Sequence, residues 1–149
     1  MSKNTASSLD FEIAAALRTA ISRIVKVLRR ETRNEAMLSI TERSTLVQIE
    51  QHPGLQPTEL AAMERVTAQS MSQVTNHLVS LGFLEKKPST EDKRKVLLFA
   101  TPAGKEYIGR LRKEKQEWLA RTLQEKITPQ EKEVLLAAIA IMTKLIEGE

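Results

Sequence analysis

The sequence contains no cysteine and few aromatic, glycine or proline residues. Without cysteine, the 149-residue chain cannot form disulfides, use a thiolate nucleophile or sense redox state through sulfur. A cytoplasmic location, where thiols stay reduced, is therefore expected. Aromatic residues make up 3% and apolar residues 41%, so the core must consist mainly of aliphatic side chains and Met. Few Gly and Pro beside many Leu, Ala, Glu, Lys and Arg predict a mainly α-helical single domain, residues 1–149.

Targeting, membrane and catalytic signatures are also missing from the sequence. No apolar run follows a basic start at the N-terminus, so we expect no secretory signal, and none approaches the roughly 18 residues of a membrane span. His52 and His77 lie far apart, without a Gly-rich phosphate loop or a zinc-type His pair. We expect no enzyme activity, no cofactor and no metal. A metal sensor using His52 with Glu50 and Glu59 stays open, although these residues form a sparse ligand set.

Steps of three and four between apolar residues predict a long first helix over residues 9–36. Its apolar stripe is formed by Ile13, Leu17, Ile21, Ile24 and Leu28. Thr41 is a suitable N-cap for a second helix over residues 42–51. The second helix should end at residues 52–54, His-Pro-Gly, because Pro and Gly continue a helix poorly.

Two short helices with a tight connection are predicted next. The first covers residues 57–65, and its inward-facing residues should be Leu60, Ala61 and Met63. Thr67 caps the second helix, which runs to about residue 81, where Gly82 can adopt left-handed geometry. The buried stripe of this second helix is predicted from Met71, Val74, Leu78 and Leu81. The spacing of the pair indicates a helix-turn-helix.

A strand-loop-strand pattern follows Gly82. Residues 83–87 predict a strand, residues 88–94 a polar loop and residues 95–100 the returning strand, which together form a hairpin or wing. Its basic residues are Lys86, Lys87, Lys93, Arg94 and Lys95. A basic hairpin loop suits the minor groove of DNA, where the potential is most negative. Asp92, two residues before Arg94, can pair with the guanidinium and fix its orientation.

Two further helices complete the predicted fold. Thr101 and Pro102 begin a helix to about residue 126, and a Thr-x-x-Glu capping box at Thr128 opens the last helix, residues 129–147. Residues 134–142 are apolar on all sides, and such a helix must be covered on all sides. A second copy of the chain is the expected cover. The predicted fold is mainly α with a small β-hairpin, a winged helix-turn-helix joined to a helical dimerisation domain.

The second helix of the helix-turn-helix presents a polar face without carboxylates. Its members are Gln69, Ser70, Ser72, Gln73, Asn76 and His77. Asn and Gln can bond adenine bidentately in the major groove, and hydroxyls can bond bases or phosphates. With the net charge of +4 and the basic wing, this face predicts binding to double-stranded DNA. Two alternatives remain: an ordinary solvated surface, or a winged helix that binds protein instead of DNA.

Three segments carry a family pattern. Residues 70–86, SMSQVTNHLVSLGFLEK, are followed by residues 92–94, Asp-Lys-Arg, and residues 101–104, Thr-Pro-Ala-Gly. In these segments, and over essentially its whole length, the chain resembles the MarR (multiple antibiotic resistance regulator) family. Ala100 departs from the pattern, which has Leu there. Gln73 stands where the family often carries Arg, which puts the usual contact of that position in doubt.

The resemblance implies a transcription regulator, in many relatives a repressor, that binds pseudo-palindromic DNA as a homodimer. It assigns residues 9–38 and 101–147 to the dimerisation helices and residues 41–100 to the DNA-binding region. It also implies that Arg94 enters the minor groove, oriented by Asp92. A small-molecule effector, phenolic or lipophilic in many relatives, would bind a cleft near Leu17, Ile21, Ile40, Leu46 and Tyr107.

Overall fold

The computed structural model describes residues 6–32 and 37–147. Within these ranges the elements are α1 (Ser8–Glu31), α2 (Ile40–Gln51), α3 (Pro57–Met63), α4 (Ala68–Ser80), β1 (Leu84–Pro88), β2 (Val96–Ala100), α5 (Pro102–Lys126) and α6 (Pro129–Thr143). The two strands form one antiparallel sheet. The predicted fold class, mainly α with a small β-hairpin, is confirmed.

The chain divides into two compact units. One contains residues 1–33 and 115–149, and therefore α1, the second part of α5 and α6. The other, residues 34–114, contains α2, α3, α4, the hairpin and the first part of α5. The predicted winged helix-turn-helix elements thus all belong to the second unit.

The first two helices differ from the prediction at their boundaries. Thr32 caps the end of α1 by donating its hydroxyl to the Leu28 carbonyl at 2.7 Å, and the predicted extension to Ala36 falls in residues 33–36, outside the described ranges. α2 is capped by Ser39, not Thr41, which lies inside the helix. The reason is a capping box: Ser39 accepts from the Glu42 N–H, and Glu42 accepts from the Ser39 N–H at 2.7 Å. Two bonds at Ser39 outweigh the single one available at Thr41.

α3 and α4 form the predicted helix-turn-helix. α3 ends at Met63 instead of residue 65, because Arg65 adopts a φ of 53° in the turn. Leu60 and Ala61 are buried as predicted, whereas Met63 is 46% exposed and the inward prediction was wrong there. Met63 is the last residue of α3, where the chain leaves the helix, and its side chain faces the solvent.

α4 begins at the predicted N-cap, Thr67, whose hydroxyl accepts from the Ser70 N–H at 3.1 Å. It ends in a Schellman motif: the Phe83 N–H bonds the Leu78 carbonyl, and the N–H of Gly82, at φ 77°, bonds the Val79 carbonyl. The predicted role of Gly82 is confirmed. α6 ends at Thr143, four residues before the predicted end, and a turn follows it.

The strands are shifted by one residue from the prediction at three of their four ends. Register pairs Leu84 with Ala100 and Pro88 with Val96. β2 also forms an isolated bridge to Leu55, with the Leu98 N–H donating to the Leu55 carbonyl at 3.0 Å. The segment between α2 and α3 therefore covers the second edge of β2 at this point, a feature that the sequence pattern did not indicate.

The core of the second unit is aliphatic, as the composition predicted. Side chains from every element of that unit meet in it, among them Leu46, Ile49, Leu60, Met71, Leu78, Leu98 and Ile108. In contrast, neither α1 nor α6 contains a buried residue. Phe11 is 68% and Leu136 69% exposed, and the described helices include no segment long and apolar enough to cross a membrane.

The start of α5 is held against the end of α4. Thr101 donates its N–H to the Phe83 carbonyl at 3.0 Å and caps α5 by accepting from the Gly104 N–H at 3.1 Å. A Cβ atom on Gly104 would collide with the Phe83 backbone carbonyl, whereas one on Gly109 would meet nothing within 4 Å. Close approach of two backbones therefore requires glycine at 104 only.

We predict opposite effects for alanine at these two positions of α5. Gly104→Ala should lower the free energy of unfolding by about 1–3 kcal/mol, the usual cost of overpacking. Gly109→Ala should raise it by about 0.5–1 kcal/mol, because alanine favours the helix. Urea unfolding of both variants and the original chain measures the difference. Equal effects of the two substitutions would contradict the close approach at Gly104.

Candidate nucleic-acid interface

The packing of α4 determines which of its side chains can reach a ligand. Met71, Thr75 and Leu78 are fully buried. Val74 and Leu81, which were predicted to be buried, are only partly so. Thr75 was missed because its hydroxyl can be buried only when it is satisfied, and it donates to the Met71 carbonyl at 3.0 Å. The predicted polar face is exposed at all six positions, Gln69, Ser70, Ser72, Gln73, Asn76 and His77.

One flank of this face is attached to α2. His77 Nδ1 forms a hydrogen bond with Glu42 Oε1, and the other carboxylate oxygen of Glu42 caps α2 through the Ser39 N–H. Burial by itself raises the pKa of Glu42, but hydrogen bonds with His77 and Ser39 outweigh burial and hold the pKa below its usual value. Sequence reasoning treated His77 as free to contact DNA; the structure shows that its Nδ1 is already engaged.

The opposite flank is attached to the wing. The Lys86 ammonium donates to Asn76 Oδ1 at 2.6 Å, so a residue of β1 contacts a residue of α4 ten positions earlier. The predicted base-contacting amide and the predicted phosphate-contacting lysine are thus a pair. No sequence signal indicated this, because the contact depends on where the Gly82 turn places the strand.

The middle of the face is open. Gln69, Ser72 and Gln73 form no side-chain hydrogen bond with any residue in the described ranges. Ser70 is different, since its hydroxyl oxygen accepts from the Thr67 hydroxyl at 2.9 Å. Beside Ser70 and Gln73, an open groove is lined at the start of α2 by Ser39, the N-cap, and by Thr41. These α2 hydroxyls were not among the predicted site residues.

The wing loop contains the predicted acid–base pair. Asp92 Oδ1 accepts from Arg94 Nε at 3.2 Å and from the Arg94 backbone N–H at 3.1 Å. Because the side-chain bond uses Nε, the two terminal guanidinium nitrogens are not part of it. The Arg94 side chain is 91% exposed. A single carboxylate therefore positions a highly exposed guanidinium.

The wing lysines divide into two groups. Lys87 is already occupied: it pairs with Glu85 at 2.9 Å and lies 5.1 Å from the centre of the Phe99 ring. Lys93 and Lys95 are exposed, and neither has an ion pair with another described residue. Lys86 bonds the neutral Asn76 amide, so Lys86, Lys93 and Lys95 carry charges that no carboxylate of the described residues neutralises.

The residues considered for a metal do not form a cluster in the structure. Glu50 accepts from Arg112 Nη2 at 3.0 Å. Over residues 6–32 and 37–147, no three His, Asp or Glu side chains come close enough to share a metal ion. Glu50 therefore has a structural role, connecting α2 to α5.

A separate cavity of about 310 Å³ lies next to Tyr107 in the same unit. It is lined by Met37, Tyr107, Arg110, Leu111 and Glu114. The Tyr107 hydroxyl is buried beside the Leu38 backbone, but it forms no hydrogen bond of standard geometry with the described residues. Burial raises its pKa, against the opposing effect of Arg43. The Tyr107 ring stacks on Phe83, with ring centres 4.9 Å apart, so the cavity wall contacts the residue that precedes β1.

Known proteins are similar to this chain in sequence and in structure, and the similarity includes the helix-turn-helix and the wing. The sequence model of the MarR family matches residues 38–96. An HTH-type transcriptional regulator of Mycobacterium tuberculosis is 31% identical over 139 residues, which cover 93% of this chain and 95% of that protein. Among solved structures, a transcriptional regulator from Thermotoga maritima superposes with a TM-score of 0.79 at 16% identity, covering 89% of this chain and 95% of the other.

A further similar structure contains DNA. It is FabT of Streptococcus pneumoniae in complex with DNA, with a TM-score of 0.60 and 21% identity, covering 91% of this chain and 96% of that one. At these identities the two superpositions establish the fold, and the mycobacterial relative establishes kinship over nearly the full length. The chain belongs to the MarR family of winged helix-turn-helix transcription regulators.

Proposed function

We propose that this regulator binds pseudo-palindromic DNA as a homodimer. In this proposal α4 lies in the major groove, where Gln69, Ser72 and Gln73 reach base edges. The wing lies in the adjacent minor groove, with Arg94 inserted and Asp92 orienting it. Contacts to phosphates come from Ser70 and from the loop lysines, Lys93 and Lys95.

One observation carries this proposal: an exposed, acid-free polar face and an exposed, oriented arginine occur in the same compact unit. A face that only contacts water has no need of a carboxylate that bonds both the backbone N–H and the guanidinium Nε of one arginine. The same unit contains the segment that matches the family. The structural similarity to a protein solved in complex with DNA agrees with this function.

The homodimer is proposed from the apolar surfaces of the other unit. α1 and α6 have no buried residue, yet they expose large apolar side chains, including Phe11, Ile24, Leu136 and Ile141. Exposed apolar surface on this scale indicates a protein interface. A second copy is the partner that is always present, and a two-fold axis places two recognition helices about 34 Å apart, one turn of DNA.

Control by a small-molecule effector is proposed for the Tyr107 cavity. Its volume of about 310 Å³ suits a small ligand. The buried Tyr107 hydroxyl offers a polar group to such a ligand, and Arg110 lies 6.0 Å from the Tyr107 ring. Because Tyr107 stacks on Phe83 at the start of the wing, a ligand that moves this ring would alter the DNA-binding elements. A repressor released by its ligand would work in this way.

Salt dependence separates DNA binding from the protein-binding alternative. Three or four basic contacts per subunit give a dimer a log K against log salt slope of about −5 to −7. We expect a slope of that size in fluorescence-anisotropy titrations of a duplex at several salt concentrations. Lack of salt-sensitive binding at low micromolar protein would favour a protein-interaction role.

Small phenolic compounds added to the same assay should release the DNA if the Tyr107 cavity is an effector site.

The wing arginine should affect binding in a sequence-dependent way. Arg94→Ala is expected to weaken binding by about 1–3 kcal/mol on sites flanked by A·T-rich DNA, whose narrow minor groove attracts arginine, and by less on G·C-rich flanks. Lys93→Ala is the control, because a phosphate contact is lost equally on both flanks. Titrations with both duplexes measure this. An unchanged affinity for Arg94→Ala would show that the wing stays outside the groove.

Substitution in α6 tests the dimer. We predict that the original chain sediments at twice its 16.8 kDa mass at sub-micromolar concentration. Leu136→Glu should weaken the dimer roughly 100-fold or more, because each buried Leu contributes about 1.5–3 kcal/mol and the substitution occurs twice in a two-fold interface. Met63→Glu, also at an exposed apolar position but in the other unit, should leave the dimer intact. A monomeric original chain would contradict the proposal.

A further inference from the structure

We infer that Lys86 and Asn76 act together to select guanine over adenine at one base pair of each half-site. This inference rests on the proposed DNA binding and names a base that its recognition surface prefers. It follows from the bond between the Lys86 ammonium and Asn76 Oδ1, 2.6 Å long, which joins the wing to the recognition helix.

The bond fixes the orientation of the Asn76 amide. An ammonium has three N–H donors and no acceptor, so it must face the amide oxygen and not the NH₂ group. The Asn76 NH₂ therefore points away from Lys86, and two N–H groups of the ammonium remain unused. Both side chains are exposed, on the flank of α4 next to the wing. The pair therefore presents a positively charged group of hydrogen-bond donors to a ligand.

Guanine and adenine differ in what they present to such a group. In the major groove guanine shows two acceptors, N7 and O6, whereas adenine shows one acceptor, N7, and one donor, the N6 amine. A free Asn matches adenine, because its oxygen accepts from N6 while its NH₂ donates to N7. With Lys86 on that oxygen, the ammonium sits where the adenine amine would approach. The pair consequently matches guanine.

Strand geometry explains why Lys86 has this role and Lys87 does not. Side chains alternate along a strand, so Lys86 shares the face of Leu84, which is buried in the core. Lys87 shares the opposite face with Glu85, to which it is paired at 2.9 Å, and lies over Phe99. The two lysines are neighbours of equal charge, and only Lys86 contacts α4. Lys87 thus provides a matched control.

The test is selection of bound duplexes from a random pool, followed by affinity measurements on the selected site and its single-base variants. The full-length chain is compared with Lys86→Met, Lys87→Met and Asn76→Ala. We expect the original chain to prefer guanine over adenine at one position per half-site by about 5- to 150-fold, the range of a good bidentate contact. Asn76→Ala should remove this preference, and Lys86→Met should reverse it or reduce it to about one.

Lys87→Met should change binding to both bases equally, if at all, and keep the guanine preference. All three side chains are exposed, and equal melting temperatures would confirm that the variants are folded. A guanine preference that survives Lys86→Met, or the lack of any position that responds to Asn76→Ala, would overturn this inference while DNA binding stands. Failure of the original chain to bind any duplex would overturn the proposed function and, with it, this inference.

Discussion

The packing of α4 through Met71, Thr75 and Leu78 is the constraint on which the candidate interface depends. These side chains are fully buried against the rest of the unit, and the hydroxyl of Thr75, the one polar group among them, is satisfied within the helix. With that face fixed, the other side of a 13-residue helix can only face outward. The side chains on that outer side take no part in core packing, so they are free to contact a ligand.

Three polar contacts orient exposed side chains of α4 and the wing, which core packing alone does not orient. Glu42 holds His77 on one flank of α4, Lys86 holds Asn76 on the other, and Asp92 holds Arg94 in the wing. Such exposed pairs contribute little to stability in water. Their effect is on orientation: each leaves a donor or a charge in a defined position before a ligand arrives, which reduces the ordering that binding requires.

The two units differ in whether they bury their apolar side chains. The unit of α2 to β2 closes its own core, with Leu46, Ile49 and Leu98 fully buried. α1 and α6 carry comparable side chains and bury none of them within the described chain. The apolar surface that α1 and α6 leave exposed is the observation from which we propose the homodimer.

The sequence by itself determined the order and type of the elements, since caps, periodicity and turn residues act locally. Thr67, Gly82 and Thr128 mark helix ends through bonds to their near neighbours, and each is found as predicted. Local rules failed where two signals competed: Ser39 caps α2 in place of Thr41 because Glu42 supplies a second bond. Only the tertiary structure decided which polar residues of α4 are free and which are held, because Glu42 and Lys86 reach His77 and Asn76 from elements distant in sequence. No periodicity encodes such contacts, since they depend on where the turns place whole elements.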